Sequence, residues 1–306
     1  MLPASITEDD YRVLRRDRDR QRALMTVIAE RHGLAPSELG PFEQGWQLVW
    51  GTSSAVIKLF EPNSVDDARV ETLLLEHLTM LDADLAVPRL EARGELEGWP
   101  YLVMSRLAGR RIGDARPSLD ATARERLAGR MGEVMASLAA LPTHGLEELV
   151  ITQDALLAER RARLLKDQRD RGGDDLLEEQ LRAFLDDPPP LAPAEPVLLH
   201  ADLTDDHFLL DEDGSLAGVI DLADAFVGPW TYELAAPACF LTFGQPRVLS
   251  ALLAGCGVTP GPEIQAAIRT WMVMHRYSHV AHHLKASGRA SLREWLEAGG
   301  DLGSGG

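Results

Sequence analysis

His200, Asp202, His207 and Asp221 fall in one acidic stretch, "LLHADLTDDHFLLDEDGSLAGVIDLADA", spanning residues 198–225 with Asp205, Asp206 and Asp224. Two short apolar runs inside it, "FLL" and "LAGVI", flank Asp211–Gly214, where Asp-Gly is the strongest part of a hairpin signal. Folded as an antiparallel ribbon, the stretch returns Asp221 to the neighbourhood of His207. A ligand pair at one end of a ribbon, with Asp202 on the loop beside it, suits Mg²⁺. That ion takes one or two protein ligands and completes its octahedron with water and phosphate oxygens. Asp202 is then left to accept a proton from an attacking hydroxyl. The plain alternative is a polar loop capped by solvated acids.

His200, Asp202, His207 and Asp221 also keep the order H-x-D-x-x-x-x-N plus a strand-borne Asp that protein kinases and their relatives use for phosphoryl transfer. Here His207 stands where the pattern has Asn; an imidazole nitrogen still binds Mg²⁺, although it suits softer metals better. Such chemistry requires a lysine on a strand to hold the donor phosphates and an acid on the next helix to steady it. "AVIKLF" supplies Lys58 between apolar neighbours, which argues against a lysine snorkelling from a strand edge. Glu71 on the following helix is the expected partner, beside the plain reading of a solvated helix acid, and Glu76, five residues on, points elsewhere. The Ser105 carbonyl and the Leu107 amide, in "YLVMSRLAGR", are the expected backbone contacts for adenine. "EQGWQLVWG" has Gly45 but no G-x-G-x-x-G, so phosphate covering falls to single backbone amides and Lys58.

The elements that carry these residues follow from the patterning. Thr7 to His32 reads as one charged helix ended by Gly33. "FEQGWQLVWGTSSAVIKLF" reads as two strands around Gly-Thr-Ser-Ser, and Ala68–Leu81 as a helix with Val70, Leu73, Leu74 and Leu78 on one face. A further strand pair turns at Glu97-Gly98. Helices dominate beyond Gly109, over Thr122–Leu141, Thr152–Leu185 and the segment after Trp230. "DDPPPLAPAEP" is a surface connection, and the closing "GGDLGSGG" reads as disordered. The expectation is an α+β, two-lobed chain. Residues 1–104 form a nucleotide-binding lobe, 105–109 a hinge, and 110–306 a mainly helical catalytic and substrate-binding lobe.

Charge narrows the partners. A net charge of −17 disfavours nucleic acid and anionic membranes and favours a cationic small molecule, although acidity also serves solubility. No apolar run approaches the roughly 20 residues that span a bilayer. The N-terminus has no secretory pattern, and two cysteines make no disulfide framework, so the expected location is cytoplasmic. His275, His279 and His283 recur every fourth residue with His282 beside them, a spacing compatible with zinc on one helix face. Without a cysteine or a fourth ligand, the preferred reading is a packing helix.

Together "VIKLF", "PRLEARGELEGWPYLVMSRLAG", "ERRARLL" and the His200–Asp221 pattern resemble the aminoglycoside phosphotransferase family, the small-molecule branch of the protein-kinase-like fold, from about residue 20 to 290. The family's usual "HGDLHxxN" reads "HADLTDDH" here, and the His resembles macrolide 2'-phosphotransferases. The resemblance implies an ATP- or GTP-dependent kinase with Mg²⁺, acting on a hydroxyl of a cationic antibiotic such as hygromycin B. It implies Asp202 as catalytic base, His207 and Asp221 as metal ligands, and Lys58 with Glu71 as the phosphate-holding pair. Asp205, Asp206 and Asp224 would meet ammonium groups of the acceptor, and Glu233 in "GPWTYELA" would brace the loop. Three other readings stand beside this: a kinase of a macrolide or endogenous amino alcohol, a catalytically silent kinase-like binding module, and a metal-dependent hydrolase.

Overall fold

The computed structural model describes residues 2–83, 85–115 and 119–301. Contacts divide the chain into two units, residues 1–109 with 217–225, and residues 110–216 with 226–306. Residues 217–225, which the sequence reading counts with the second lobe, belong to the first unit. The cause is local: Val219 N–H donates to Ala86 at 2.8 Å, and Asp221 and Leu222 bond to Lys58 and Glu71.

In the first unit the expected single N-terminal helix is two, α1 (Glu8–Leu14) and α2 (Arg18–Arg31). The Asp17 carboxylate accepts from Arg20 N–H and starts a new helix rather than prolonging the first. Gln21 is buried in the corner, bonding Leu14 O at 2.9 Å and Trp50 Nε1 at 3.2 Å. The strands are β1 (Gly40–Phe42), β2 (Leu48–Gly51), β3 (Ala55–Leu59), β4 (Leu90–Leu96) and β5 (Trp99–Ser105). They form a five-stranded antiparallel sheet in the order β1-β2-β3-β5-β4. Tyr11, Leu14, Met25 and Ile28 of the two helices join Trp50, Ile57, Leu59, Trp99 and Val103 of the sheet in one apolar core. The helix α3 (Val65–Met80) lies in the connection from β3 to β4 and buries Leu74, Leu75 and Leu78.

The second unit opens with β6 (Arg110–Arg111), α4 (Ile112–Ala115) and α5 (Ala121–Ala139). The helical stretch over Thr152–Leu185 consists of α6 (Gln153–Asp170) and α7 (Asp175–Asp186). Gly172 adopts φ +86°, and Asp174 caps the new helix by accepting from Leu177 N–H. Then come β7 (Pro196–Leu199), β8 (Phe208–Leu210) paired with β6, and the turn closed by Asp211 N–H to Ser215 O. That turn leads into β9 (Leu216–Val219) and the return to the first unit. β10 (Phe226–Pro229) pairs with β7, and α8 (Ala235–Phe240), α9 (Pro246–Gly255), α10 (Pro262–Met274), α11 (Val280–Ser287) and α12 (Leu292–Gly299) complete the unit.

Two C-terminal expectations are corrected. The helix through the histidines breaks between Met274 and Val280, because Arg160 of α6 takes the Met274 carbonyl while Gln168 and Arg171 take that of Ser278. His275, His279 and His283 therefore share no helix face. Of the run expected to be disordered, Gly299 closes α12, and residues 302–306 lie outside the described ones.

Candidate active site

In the first unit, β3 is the middle strand and Lys58 lies at its buried centre, in register with Val49 and Leu102. Strand alternation sends Ile57 and Leu59 into the apolar core. Lys58 bonds instead to α3, where its Nζ donates to Glu71 Oε2 at 2.7 Å, and to Asp221 Oδ1, also at 2.7 Å. Lys58 and Glu71 are 5% and 2% exposed, whereas Asp221 is 37% exposed. Burial alone favours the neutral amine, but attraction to Asp221 and Glu71 outweighs it and holds the ammonium well above its usual pKa. Burial raises the Glu71 pKa and Asp221 adds to the rise, while Lys58 opposes it. Glu71 also accepts from Leu222 N–H through Oε1 at 3.3 Å, so one carboxylate fixes both the lysine and the chain after Asp221. Glu76 pairs with Arg93 at 3.3 Å. Asp224 lies in the same unit, three residues past Asp221.

Ser105 ends β5. Its N–H donates to Arg89 O, and Arg89 N–H bonds the Ser105 hydroxyl rather than its carbonyl, each at 2.8 Å. A Cβ on Gly218 would stand 2.7 Å from Leu107 Cδ1 and 2.8 Å from Ala86 O, so only glycine lets β9 lie this close.

In the second unit, the loop after β7 carries Asp202. Ala201 has φ +68°, a left-handed conformation that a side chain disfavours. Glu233 holds it there: buried, its carboxylate accepts from His200 N–H at 2.8 Å and Ala201 N–H at 3.0 Å. Burial pushes Glu233 up to about 7, against the two amide bonds and with help from Asp202. His207 Nδ1 lies against the Asp202 carbonyl and 3.8 Å from Asp202 Oδ2. A carbonyl only accepts, so His207 carries a proton on Nδ1. His200 is buried and stacks on His207 at 5.5 Å. Asp205 is buried, its carbonyl taking Gly113 N–H at 3.0 Å. The Asp206 carboxylate lies 3.6 Å from Arg111, which also bonds Asp114 in two-pronged fashion.

The predicted residues thus gather in two sets. Lys58, Glu71 and Asp221 meet in the first unit, with Ser105 and Leu107 in the same unit. Asp202 and His207 meet in the second, with Asp205 and Asp206 on the same loop. Sequence reading missed residues that pin the turn before β2. Tyr11 Oη donates to Trp46 O at 3.2 Å, Arg15 bonds Gly45 O, and Arg18 bonds Glu43. Their only signal was basic and aromatic residues on helices otherwise rich in solvated charge.

Asp221, in the first unit, has a partly exposed side chain, and His207, in the second, keeps a proton on Nδ1 against the Asp202 carbonyl. Among the described residues, no group of three or more His, Cys, Asp or Glu is placed to hold a metal by itself. Burial pushes both Cys239 and Cys256 up to about 12, which leaves them as unreactive thiols.

Residues 40–265 match the sequence profile of the phosphotransferase enzyme family. The chain belongs to that family. Among solved structures, this phosphotransferase is similar to the GDP complex of wild-type aminoglycoside 2'-phosphotransferase-IIIa, at 19% identity and TM-score 0.62, over 86% of this chain and 92% of that one. It is similar to macrolide 2'-phosphotransferase MphH from Brachybacterium faecium, at 22% identity and TM-score 0.61, over 91% and 98% of the two chains. It also matches the streptomycin–ATP complex of APH(2'')-IIa, at 17% identity and TM-score 0.61, over 82% and 85%. These likenesses establish the kinase-like fold expected from the sequence: a small antiparallel sheet with one inserted helix, and a larger, mainly helical part.

Proposed function

We propose that this phosphotransferase moves the γ-phosphoryl group of ATP or GTP to a hydroxyl of an aminoglycoside, hygromycin B first among candidates, and so confers resistance to it. The observation that carries the reading is Lys58, buried on a central strand and held between Glu71 and Asp221 at 2.7 Å from each. A buried ammonium with two acids is costly to assemble for stability alone. It is what a phosphate-holding lysine requires.

In this reading Lys58 neutralises donor phosphate charge, Glu71 fixes its direction, and the Ser105 carbonyl and Leu107 amide orient the base. Asp202 holds the acceptor hydroxyl in line and takes its proton, and Glu233 sets the backbone on which Asp202 rides. Asp221 and the Nε2 of His207 would hold Mg²⁺, which supplies charge neutralisation on the transferring group when bound. Positioning and charge carry such a transfer, because its transition state is loose. Asp205, Asp206 and Asp224 meet ammonium groups of the acceptor, and the acid excess of the chain favours a polycation. A nucleoside triphosphate donor supports a cytoplasmic location for the reaction. The GDP and ATP bound to similar structures support a purine nucleotide as donor.

A macrolide acceptor is the second reading. It is supported by His207 at the Asn position and by the likeness to the macrolide enzyme. Nucleotide consumption measured with ATP and with GTP, across hygromycin B, kanamycin, streptomycin, gentamicin and a macrolide, separates the two. The reading expects turnover on an aminoglycoside, greatest with hygromycin B. Turnover on the macrolide alone replaces it with the second reading, and turnover on none contradicts both.

A further inference from the structure

Ala201 is held from two sides. Glu233 takes its N–H at 3.0 Å, and the imidazole of His275 meets its carbonyl oxygen through Nε2 at 2.8 Å. Because that oxygen only accepts, His275 must carry its proton on Nε2; its Nδ1 then accepts from Tyr277 N–H at 3.3 Å. The ring is 6% exposed and stacks on Tyr232 at 4.7 Å with an interplanar angle of 28°. Tyr232 is itself locked: Oη accepts from Arg276 N–H at 3.1 Å, and its ring meets Trp271 edge-on at 5.1 Å. Arg160 of α6 bonds the Met274 carbonyl at 3.0 Å and ends α10 at the residue before His275. Burial drives the imidazole pKa down to about 3, with nearby Arg276, Arg160 and Arg171 adding to the fall, so the ring is neutral at any working pH.

We infer that His275 is a positioning residue for phosphoryl transfer: with Glu233 it clamps the Ala201 peptide in its left-handed conformation and so sets the direction of Asp202. The inference rests on the proposed role of Asp202 as base. The physical need is specific. An alanine at φ +68° prefers other backbone conformations, and glycine there does not. Loss of the carbonyl clamp lets the peptide rotate toward those conformations and moves the Asp202 carboxylate off line, without touching the residues that bind nucleotide.

The test is a cycle of variants, His275→Phe, Ala201→Gly and the pair together, with His275→Gln and Asp202→Ala beside them. Kinetics use ATP with hygromycin B, or with whichever antibiotic of the panel turns over. His275→Phe is expected to lower kcat about tenfold or more with the KM for ATP within about twofold. Adding Ala201→Gly is expected to restore most of that loss relative to Ala201→Gly alone. His275→Gln, whose amide N–H reaches the same carbonyl, is expected to keep more activity than His275→Phe. A purely structural histidine predicts no such rescue. Wild-type kcat in His275→Phe, or no rescue by glycine, overturns the inference. If His275→Phe does not fold, ¹⁵N NMR of the wild-type imidazole decides. A neutral Nε2–H ring persisting to about pH 5 supports the clamp, and an Nδ1–H tautomer or an imidazolium overturns it. Full turnover in Asp202→Ala would bring down the proposed base and the inference with it. Loss in Asp202→Ala with wild-type kcat in His275→Phe brings down the inference alone.

Discussion

Glu71 reaches Lys58 with one carboxylate oxygen, at 2.7 Å, and the amide of Leu222 with the other, at 3.3 Å. Both partners of the ion pair are buried, so its two halves are not equivalent when deleted. Glu71→Ala leaves a buried ammonium with Asp221 alone and strips Leu222 of its acceptor. Destabilisation of about 3–5 kcal/mol is expected from chemical denaturation. Glu71→Gln keeps the shape and one acceptor and should lose less. Equal stability of Glu71→Ala and wild type would contradict the pairing.

Glu233 gives a pH signature. Its ordinary pKa of 4.5 is raised to about 7 in the folded protein, by burial first. Between these values the folded chain binds a proton that the unfolded chain has released, so stability falls as pH rises. The contribution is fully present below about pH 4.5 and lost as pH climbs through about 7. The shift corresponds to roughly 3 kcal/mol. Urea unfolding at pH 5 and pH 8 should show the stability difference between wild type and Glu233→Gln moving against wild type by about 2–3 kcal/mol. A difference independent of pH would count against the buried carboxylate.

The proposed role of His207 at the metal carries a metal preference. In that role the imidazole would offer Nε2, a softer donor than an amide oxygen. Turnover with Mn²⁺ relative to Mg²⁺ should fall several-fold in His207→Asn. An unchanged ratio would remove His207 from the metal's ligands.

Gly132 of α5 and Gly255 of α9 allow a backbone-to-backbone crossing. A Cβ on Gly132 would meet Leu252 O at 2.1 Å, and one on Gly255 would meet Gly129 O at 2.0 Å. These are main-chain atoms of helices and cannot swing aside. Gly132→Ala should lower stability by about 1–3 kcal/mol in thermal unfolding, despite the better helix propensity of alanine. A stabilised variant would contradict the crossing.

The pairing of Lys58 with Glu71 was legible because a charge had to sit among apolar residues. Lys58 inside "AVIKLF" and the acids closing "LAGVI" stand against their surroundings, and the structure binds Lys58 to Asp221 at 2.7 Å. Helix extents were less legible. The breaks at Asp17 and Gly172 depend on side-chain caps whose residues also occur inside helices. The break after Met274 depends on Arg160, more than a hundred residues away in sequence. His275 looked like one of a regular histidine series for that reason; only the tertiary clamp on α10 turns it toward Ala201. The return of residues 217–225 to the first unit was equally hidden, because its signal is the paired closeness of Gly218 to Leu107 and Ala86.

The central claim is that Lys58 holds the donor and Asp202 takes the acceptor's proton. Mass spectrometry of hygromycin B after incubation with ATP, Mg²⁺ and wild type, Lys58→Met or Asp202→Asn tests it most directly. The account predicts addition of one phosphoryl group by wild type, at a rate reduced about 10²-fold or more in each variant. Phosphorylated antibiotic formed at the wild-type rate by both variants would contradict it.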